Sequence, residues 1–163
     1  MATGVFAQNL GPSQRSAGDI EAVVWLKPHH FGDAPEGYNF IMQNAGGGIR
    51  YYLWTGGEDK SEVFADLNKF CSSGTMGSAT TLRMAYQQRV MSAGQGKVFI
   101  GVAGELIHYY NTIAIKSHVT AGLNPIVTLR YKRLSFSAAY SFPFGESGEK
   151  YPAMITGNVS FRF

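Results

Sequence analysis

The sequence predicts an all-β fold of eight antiparallel strands in up-and-down order, and three observations lead to that prediction. Apolar and polar residues alternate along most of the chain, as they do on a strand with one apolar face. Glycine accounts for 20 of the 163 residues and aromatic residues for 13%, which suits strands separated by many turns. The links between the alternating segments are short and long in turn, as in a series of hairpins.

The alternation places the eight strands in chain order. They are predicted at residues 19–27, 38–54, 61–70, 78–91, 97–110, 122–131, 134–142 and 152–163. The seventh strand alternates most regularly, with one face formed by Leu134, Phe136, Ala138, Tyr140 and Phe142. The short links are predicted at 55–59, 92–96 and 132–133, and the long links at 27–39, 71–77, 111–124 and 143–152. An even number of strands brings both termini to the same end of the sheet.

Residues 61–72 also fit a helix. Val63, Phe64, Leu67 and Phe70 recur at helical spacing, and Ser61 is a suitable N-cap. A helix at this position would remove one strand and break the even count. We therefore predict a strand here, and a helix remains the alternative.

The last strand carries a further signal. Its apolar side contains Ile155, Val159, Phe161 and Phe163, and the chain stops on that aromatic residue. This pattern resembles the C-terminal signature strand of bacterial outer-membrane β-barrels. The resemblance implies an eight-stranded antiparallel up-and-down transmembrane β-barrel with short periplasmic turns, longer extracellular loops and both termini in the periplasm. It also implies that the barrel assembly machinery reads the last strand, and that its apolar side faces phospholipid and lipopolysaccharide.

The composition agrees with a barrel and excludes other classes. Charged residues make up only 15% of the chain, against about 25% in an ordinary soluble domain. The longest strongly apolar run, AVVWL at 22–26, is far shorter than the roughly 20 residues of a spanning helix. The net charge of +3 is scattered without a basic run, so no nucleic-acid partner is expected. The single Cys71 excludes an internal disulfide, and we expect neither a metal nor a cofactor.

Two regions are predicted: a flexible N-terminal segment at 1–18 and a single β-barrel domain at 19–163. The opening residues include VFAQ, in which Val5 and Ala7 stand where a signal peptide has its small cleavage-site residues. An ordinary flexible N-terminus fits equally well. Whether residues 1–7 belong to the mature protein is therefore open.

An eight-stranded barrel is too narrow for an open channel, so side chains must fill its interior. The alternation predicts an inward face made of Glu21, Trp25, Arg50, Tyr52, Trp54, Arg83, Gln87, Arg89, Glu105 and Arg130. Buried charges must be paired, because an unpaired one costs several kcal/mol (about 3 to 5). We therefore expect an ion network that joins Glu21 and Glu105 to Arg83 and Arg130.

A filled interior and four long loops predict a structural or surface-interaction scaffold. The sequence does not identify the ligand that its surface would bind. An enzyme is the first alternative, because GGGIRYYLW, DLNKF and PIVTLRYKRLSFSAAY resemble segments of the outer-membrane lipid A palmitoyltransferase. That resemblance implies palmitoyl transfer from phospholipid to lipid A, with His29 or His30 and Asp66 as catalytic residues. Leu67 stands where that family has a serine. The second alternative is a soluble lipocalin-like carrier, which would place its apolar face inward.

Overall fold

The alternating segments form eight strands in the computed structural model, which describes residues 13–26, 29–30, 46–71, 78–111, 116–145 and 154–163. The strands are β1 (Ile20–Trp25), β2 (Gly46–Thr55), β3 (Ser61–Cys71), β4 (Ser78–Ala93), β5 (Gly96–Asn111), β6 (Lys116–Tyr131), β7 (Leu134–Gly145) and β8 (Met154–Arg162). They form a closed, all-antiparallel β-barrel, so the predicted fold class is confirmed.

Each strand pairs with the next one in the chain, and the barrel closes where β1 meets β8. At this seam Glu21 lies opposite Arg162 and Trp25 lies opposite Asn158. A two-residue segment, His29–His30, continues the pairing along β8 toward Met154. Closure leaves no unpaired strand edge along the described barrel, which is what a spanning sheet requires.

The two ends of the barrel differ in their connections. At one end, which we call the turn end, lie the link at 56–60 with its 3₁₀ turn Gly57–Asp59 and the two-residue turns at 94–95 and 132–133. Gly94 and Lys132 have φ of 57° and 53° there, as tight hairpins require. The other end, the loop end, is where the strands meet residues 27–28, 31–45, 72–77, 112–115 and 146–153, which lie outside the described residues.

The structure moves several predicted boundaries, and the largest change is at the start of β6. Strand β6 begins at Lys116 rather than at residue 122, so the predicted long link at 111–124 is mostly strand. The alternation of apolar and polar residues is weak here because the residues are small. Ala121 faces outward, whereas Thr120 and Gly122 face inward. Residues 38–45 of the predicted second strand lie outside the described residues.

Residues 61–71 form strand β3, as predicted, and the helical alternative is excluded. The residues that seemed to share one helical face are divided between the two faces of the strand. Phe64 and Phe70 are buried inside the barrel, whereas Leu67 is exposed on its outer surface. Gly46 and Gly48 of β2 make room for this strand, because an added Cβ would lie 2.6 Å from Phe70 Cε1 and 2.1 Å from the Leu67 carbonyl oxygen respectively.

Apolar side chains cover the outside of the barrel, and most side chains inside it are polar or charged, around a core cluster that includes Tyr52, Phe64 and Ile126. The outer surface exposes large apolar residues on every strand, among them Ile155 and Phe161 of β8 and the final Phe163. Val159 lies half-buried on the same outer face. This arrangement is the reverse of a lipocalin, so the soluble-carrier alternative is wrong. No helix among the described residues is long and apolar enough to cross a membrane.

One residue predicted to face inward, Trp54, does not, and Arg89 lies on the inward face at the rim of the turn end, opposite Phe99. Trp54 lies on the outer surface with 49% of its area exposed, because the pairing between β2 and β3 shifts register between Tyr52 and Trp54. Arg89 is only half-buried and donates a hydrogen bond to the Glu58 carbonyl oxygen at 2.9 Å. A second register shift follows Arg89 in β4.

Candidate functional site: the ion network inside the barrel

The inward faces of the strands bring charged side chains of both signs into the interior. Those with no more than 1% of their area exposed are Glu21, Arg50, Glu62, Asp66, Arg83 and Arg130. Charges buried this deeply are tolerated only when each meets a partner of opposite sign in good geometry. The contacts below show how the chain meets that requirement.

Asp66 of β3 binds two arginines. Arg50 of β2 donates to both of its carboxylate oxygens, from Nε at 2.7 Å and from Nη2 at 3.1 Å. Arg83 of β4 donates to Oδ2 from Nη2 at 2.5 Å and from Nε at 3.1 Å. Each guanidinium also lies over an aromatic ring, Arg50 over Phe64 at 4.0 Å and Arg83 over Trp25 at 4.4 Å. This cluster ties β2, β3 and β4 together inside the barrel.

Glu62, nearer the turn end of β3, binds across the interior to β6. Arg130 donates to its two oxygens at 2.6 and 2.9 Å, and to the Tyr52 hydroxyl at 3.0 Å. The Gln87 amide donates to Glu62 at 2.5 Å, and its oxygen accepts from Thr128 at 2.9 Å. Because Glu62 and Arg130 stand on opposite walls, their ion pair crosses the interior near the turn end.

The N-terminal segment Ser13–Asp19, which we call the latch, covers the turn end. Arg15 of the latch is buried, and its Nε donates to Glu21. Its two Nη atoms donate to the carbonyl oxygens of Lys132 and Arg133 in the β6–β7 turn, each at 3.2 Å. Its backbone N–H donates to Asp59 at 3.3 Å. One arginine therefore links the first strand to two turns across the mouth of the barrel.

The latch also spans the seam between β1 and β8. Arg162 of β8 donates to Asp19 at 3.1 Å and to the Gln14 carbonyl oxygen. On the other side, Gly18 donates to the Tyr52 carbonyl oxygen at 2.8 Å. These contacts belong to residues 13–18 of the segment that was predicted to be flexible, whereas residues 1–12 lie outside the described residues.

All four residues of the predicted ion network are buried inside the barrel, but their partners differ from the predicted ones. Arg83 pairs with Asp66, Arg130 with Glu62 and Glu21 with Arg15. Glu105 makes no ion pair among the described residues and accepts a hydrogen bond from Asn124 at 2.7 Å. Sequence reasoning missed the two acids of β3 because the helical pattern of that segment obscured their shared face.

The residues predicted as catalytic under the enzyme alternative are not brought to one accessible site. Asp66 has no exposed area, and four guanidinium hydrogen bonds occupy its carboxylate. It is therefore not available as a base for a substrate in a loop. His29 and His30 lie on the β8 side of the loop end, and their side chains are outside the described part of the chain. Buried arginines and carboxylates also occupy much of the described interior, whereas an acyl chain needs an apolar lining.

No metal centre is formed by the described residues, which contain no group of three or more His, Cys, Asp or Glu side chains placed to hold an ion. The acids of the interior each bind an arginine, an amide or a hydroxyl instead. The arrangement is thus suited to filling and stiffening the barrel.

Comparison with solved structures identifies the fold. The barrel is similar to the N-terminal β-barrel domain of Pseudomonas aeruginosa OprF (TM-score 0.52, 17% identity), covering 91% of this chain and 100% of that one. It is similar to Neisserial surface protein A (TM-score 0.56, 10% identity), covering 91% and 98%. It is also similar to Ail, the attachment invasion locus protein of Yersinia pestis (TM-score 0.50, 9% identity), covering 91% and 100%.

No protein-family model matches the chain, and no curated protein matches it in sequence. The comparisons therefore establish the fold, which is that of the eight-stranded outer-membrane β-barrels.

Proposed function

We propose that this chain is an integral outer-membrane β-barrel that acts as a rigid scaffold and contacts its partners through the loop end. The observation that carries the proposal is the filled interior, in which the Glu62–Arg130 pair joins opposite walls and the Asp66 cluster joins three strands. An interior held in this way favours neither transport nor catalysis. The protein would then act through the surface at its loop end.

The outer face supports insertion into a bilayer. Large apolar residues are exposed along all the strands, and such a surface would favour aggregation in water. Exposed aromatic residues gather near the turn end, as in the aromatic girdles of membrane barrels: Trp54, Tyr131, Phe136, Phe161 and Phe163. The girdle would place the turn end at one membrane surface.

The proposed orientation puts the turn end in the periplasm. Outer-membrane barrels have short periplasmic turns and longer extracellular loops, and the three short turns of this barrel share one end with the latch and Phe163. Residues 31–45, the longest undescribed stretch between two strands, would then be extracellular. Two of the similar structures bear names that speak of a surface protein and of attachment and invasion, which agrees with work done at the cell surface.

Cysteine labelling on intact cells tests the orientation. In a Cys71→Ser background, the Glu36→Cys variant should react with a membrane-impermeant maleimide, whereas the Gly57→Cys variant should react only after the outer membrane is permeabilised. Reversed labelling would overturn the orientation. Planar-bilayer recording tests the filled interior, and we expect no stable open channel from the wild-type protein. A steady ion conductance through the folded barrel would contradict that expectation.

A loop replacement tests the scaffold itself. Cells carrying the wild-type chain would be compared with cells in which residues 31–44 are replaced by a short Gly-Ser linker, using immobilised matrix and serum proteins as probes. We expect the replacement to abolish adhesion while the barrel keeps its heat-modifiable gel mobility. Adhesion that survives the replacement, with the barrel folded, would count against a role for this loop.

A further inference from the structure

A row of polar side chains crosses the outer face of the barrel near the loop end. Lys69 of β3 lies opposite Thr80 of β4, and Thr80 lies opposite His108 of β5. All three side chains are exposed. They border an apolar part of the outer surface, because the next outward residues toward the turn end are Leu67, Leu82 and Leu106.

An apolar groove begins directly below this polar row, on the same side of the barrel. It has a volume of about 330 Å³ and is lined by Leu82, Met84, Gly104, Leu106, Ala121 and Gly122, with the buried Glu105 beside them. Gly104 has no side chain, and a Cβ added there would meet no atom within 4 Å. The space above this residue is therefore empty, which deepens the groove. Outward residues two apart on a strand are separated by about 6.5 Å, so the groove and the polar row lie within the reach of one lipid molecule.

We propose that the groove and the polar row together bind one phosphorylated glycolipid of the lipid A class from the outer leaflet. An acyl chain would lie along Gly104 and Ala121, and a phosphate would accept hydrogen bonds from Lys69, Thr80 and His108. Ammonium, hydroxyl and imidazole groups are all suitable phosphate donors. The inference rests on the proposed function, because the loop end must be outermost for this site to meet the outer leaflet.

A second groove on the outer face shows why the apolar surface alone is insufficient. It measures about 300 Å³, and its lining is apolar apart from a tyrosine hydroxyl: Ile100, Pro125, Ile126, Val127, Ala138, Ala139, Tyr140 and Ile155. No basic residue lines it. Any lipid chain can cover that groove, whereas the first groove lies next to Thr80 and His108 of the polar row, with Lys69 on the neighbouring strand. The second groove therefore supplies a matched control.

Native mass spectrometry of the full chain in neutral detergent micelles tests the inference. The probes are bisphosphorylated hexa-acyl lipid A, its dephosphorylated form and phosphatidylglycerol. Lys69→Gln should weaken binding of the bisphosphorylated lipid about fivefold, the upper range for an exposed ion pair. Gly104→Leu should weaken it at least as much by filling the groove. The controls Lys60→Gln, at the turn end, and Ala138→Leu, in the second groove, should bind like the wild type.

Two results would overturn the inference: unchanged binding in both Lys69→Gln and Gly104→Leu, or equal binding of phosphatidylglycerol and bisphosphorylated lipid A. Each variant is first checked for heat-modifiable mobility, so that a misfolded chain is not scored. If Gly104→Leu fails that check, Lys69→Gln decides alone. Cysteine labelling reports orientation independently, so an outward loop end without lipid selectivity rejects this site and leaves the proposed function standing.

Discussion

The interior of the barrel has two unlike parts along each strand. Toward the turn end, side-chain donors and acceptors are matched, as in Glu62 with Arg130 and Thr128 with Ser137. Farther along the strands lie all of the buried side-chain atoms in the described residues that have no hydrogen-bond partner. They are Trp25 Nε1, Asn68 Oδ1, Arg83 Nη1, Thr120 Oγ1, Asn124 Oδ1, Ser141 Oγ and Thr156 Oγ1.

Two neighbouring strands, β7 and β8, show the division. On β8, Ser160 and Asn158 are bonded and Thr156, farther from the turn end, is not. On β7, Ser137 is bonded and Ser141 is not. A buried polar atom without a partner costs free energy, whereas a matched pair contributes modestly and a charged pair more. The turn-end part of the interior and the Asp66 cluster at mid-strand should therefore hold most of the stability that polar contacts provide, and the part nearest the loop end should add little.

The largest expected effect tests the most connected acid. Asp66→Ala would leave the guanidinium groups of Arg50 and Arg83 buried without their carboxylate, and should destabilise the barrel by about 3 to 5 kcal/mol. Urea unfolding in lipid vesicles, followed by tryptophan fluorescence, measures this. Glu58→Ala is the control, because Glu58 belongs to an exposed pair with Lys60 and should change stability by less than about 1 kcal/mol. Equal losses in the two variants would contradict the ion network.

A second test compares two buried glutamates through the same isosteric change. Glu62→Gln removes the charge that Arg130 binds and should cost about 2 to 3 kcal/mol. Glu105→Gln changes a carboxylate whose bonded partner in the structure is the Asn124 amide and should cost less than about 1 kcal/mol. Both values come from the same unfolding experiment. A larger loss for Glu105→Gln would mean that the originally predicted pairing with Arg83 dominates.

How far the sequence predicts this interior depends on the kind of contact. Period-two alternation is a local property, so it placed Glu21, Arg83, Glu105 and Arg130 on inward faces. The choice of partner is not local. Arg83 lies between Asp66 and Glu105 in the register of the sheet. It bonds to Asp66, which also binds Arg50.

Side-chain contacts across the barrel, and contacts made by residues outside the strands, produce no periodic pattern in the sequence. The Glu62–Arg130 pair joins residues 68 positions apart on opposite walls, and strand alternation carries no information about such a pair. The bulge that turns Trp54 outward is a one-residue break in register, which alternation cannot anticipate. Arg15 lies in a segment rich in Gly, Pro and Ser without any period, so its burial was unpredictable.

The latch should show a smaller effect than the buried acids. Arg15→Ala removes the hydrogen bonds to Glu21 and to the β6–β7 turn, and we expect a loss of about 1 to 2 kcal/mol. Arg133→Ala is the matched control, because its side chain is exposed and the latch uses its backbone carbonyl oxygen. Urea midpoints that are equal for the two arginine variants would show that the latch does not stabilise the turn end.

The smallest effect gives the sharpest distinction between the two parts of the interior. Thr156→Val keeps the shape of the side chain and removes a buried hydroxyl that has no partner, so stability should stay equal or rise by up to about 1 kcal/mol. Thr128→Val makes the same change where the hydroxyl bonds to Gln87 and Ser137, each at 2.9 Å. It should lose about 1 kcal/mol. If the two threonine variants lose the same amount, the Thr156 hydroxyl is bonded as well as that of Thr128, and the two parts of the interior do not differ in the way described.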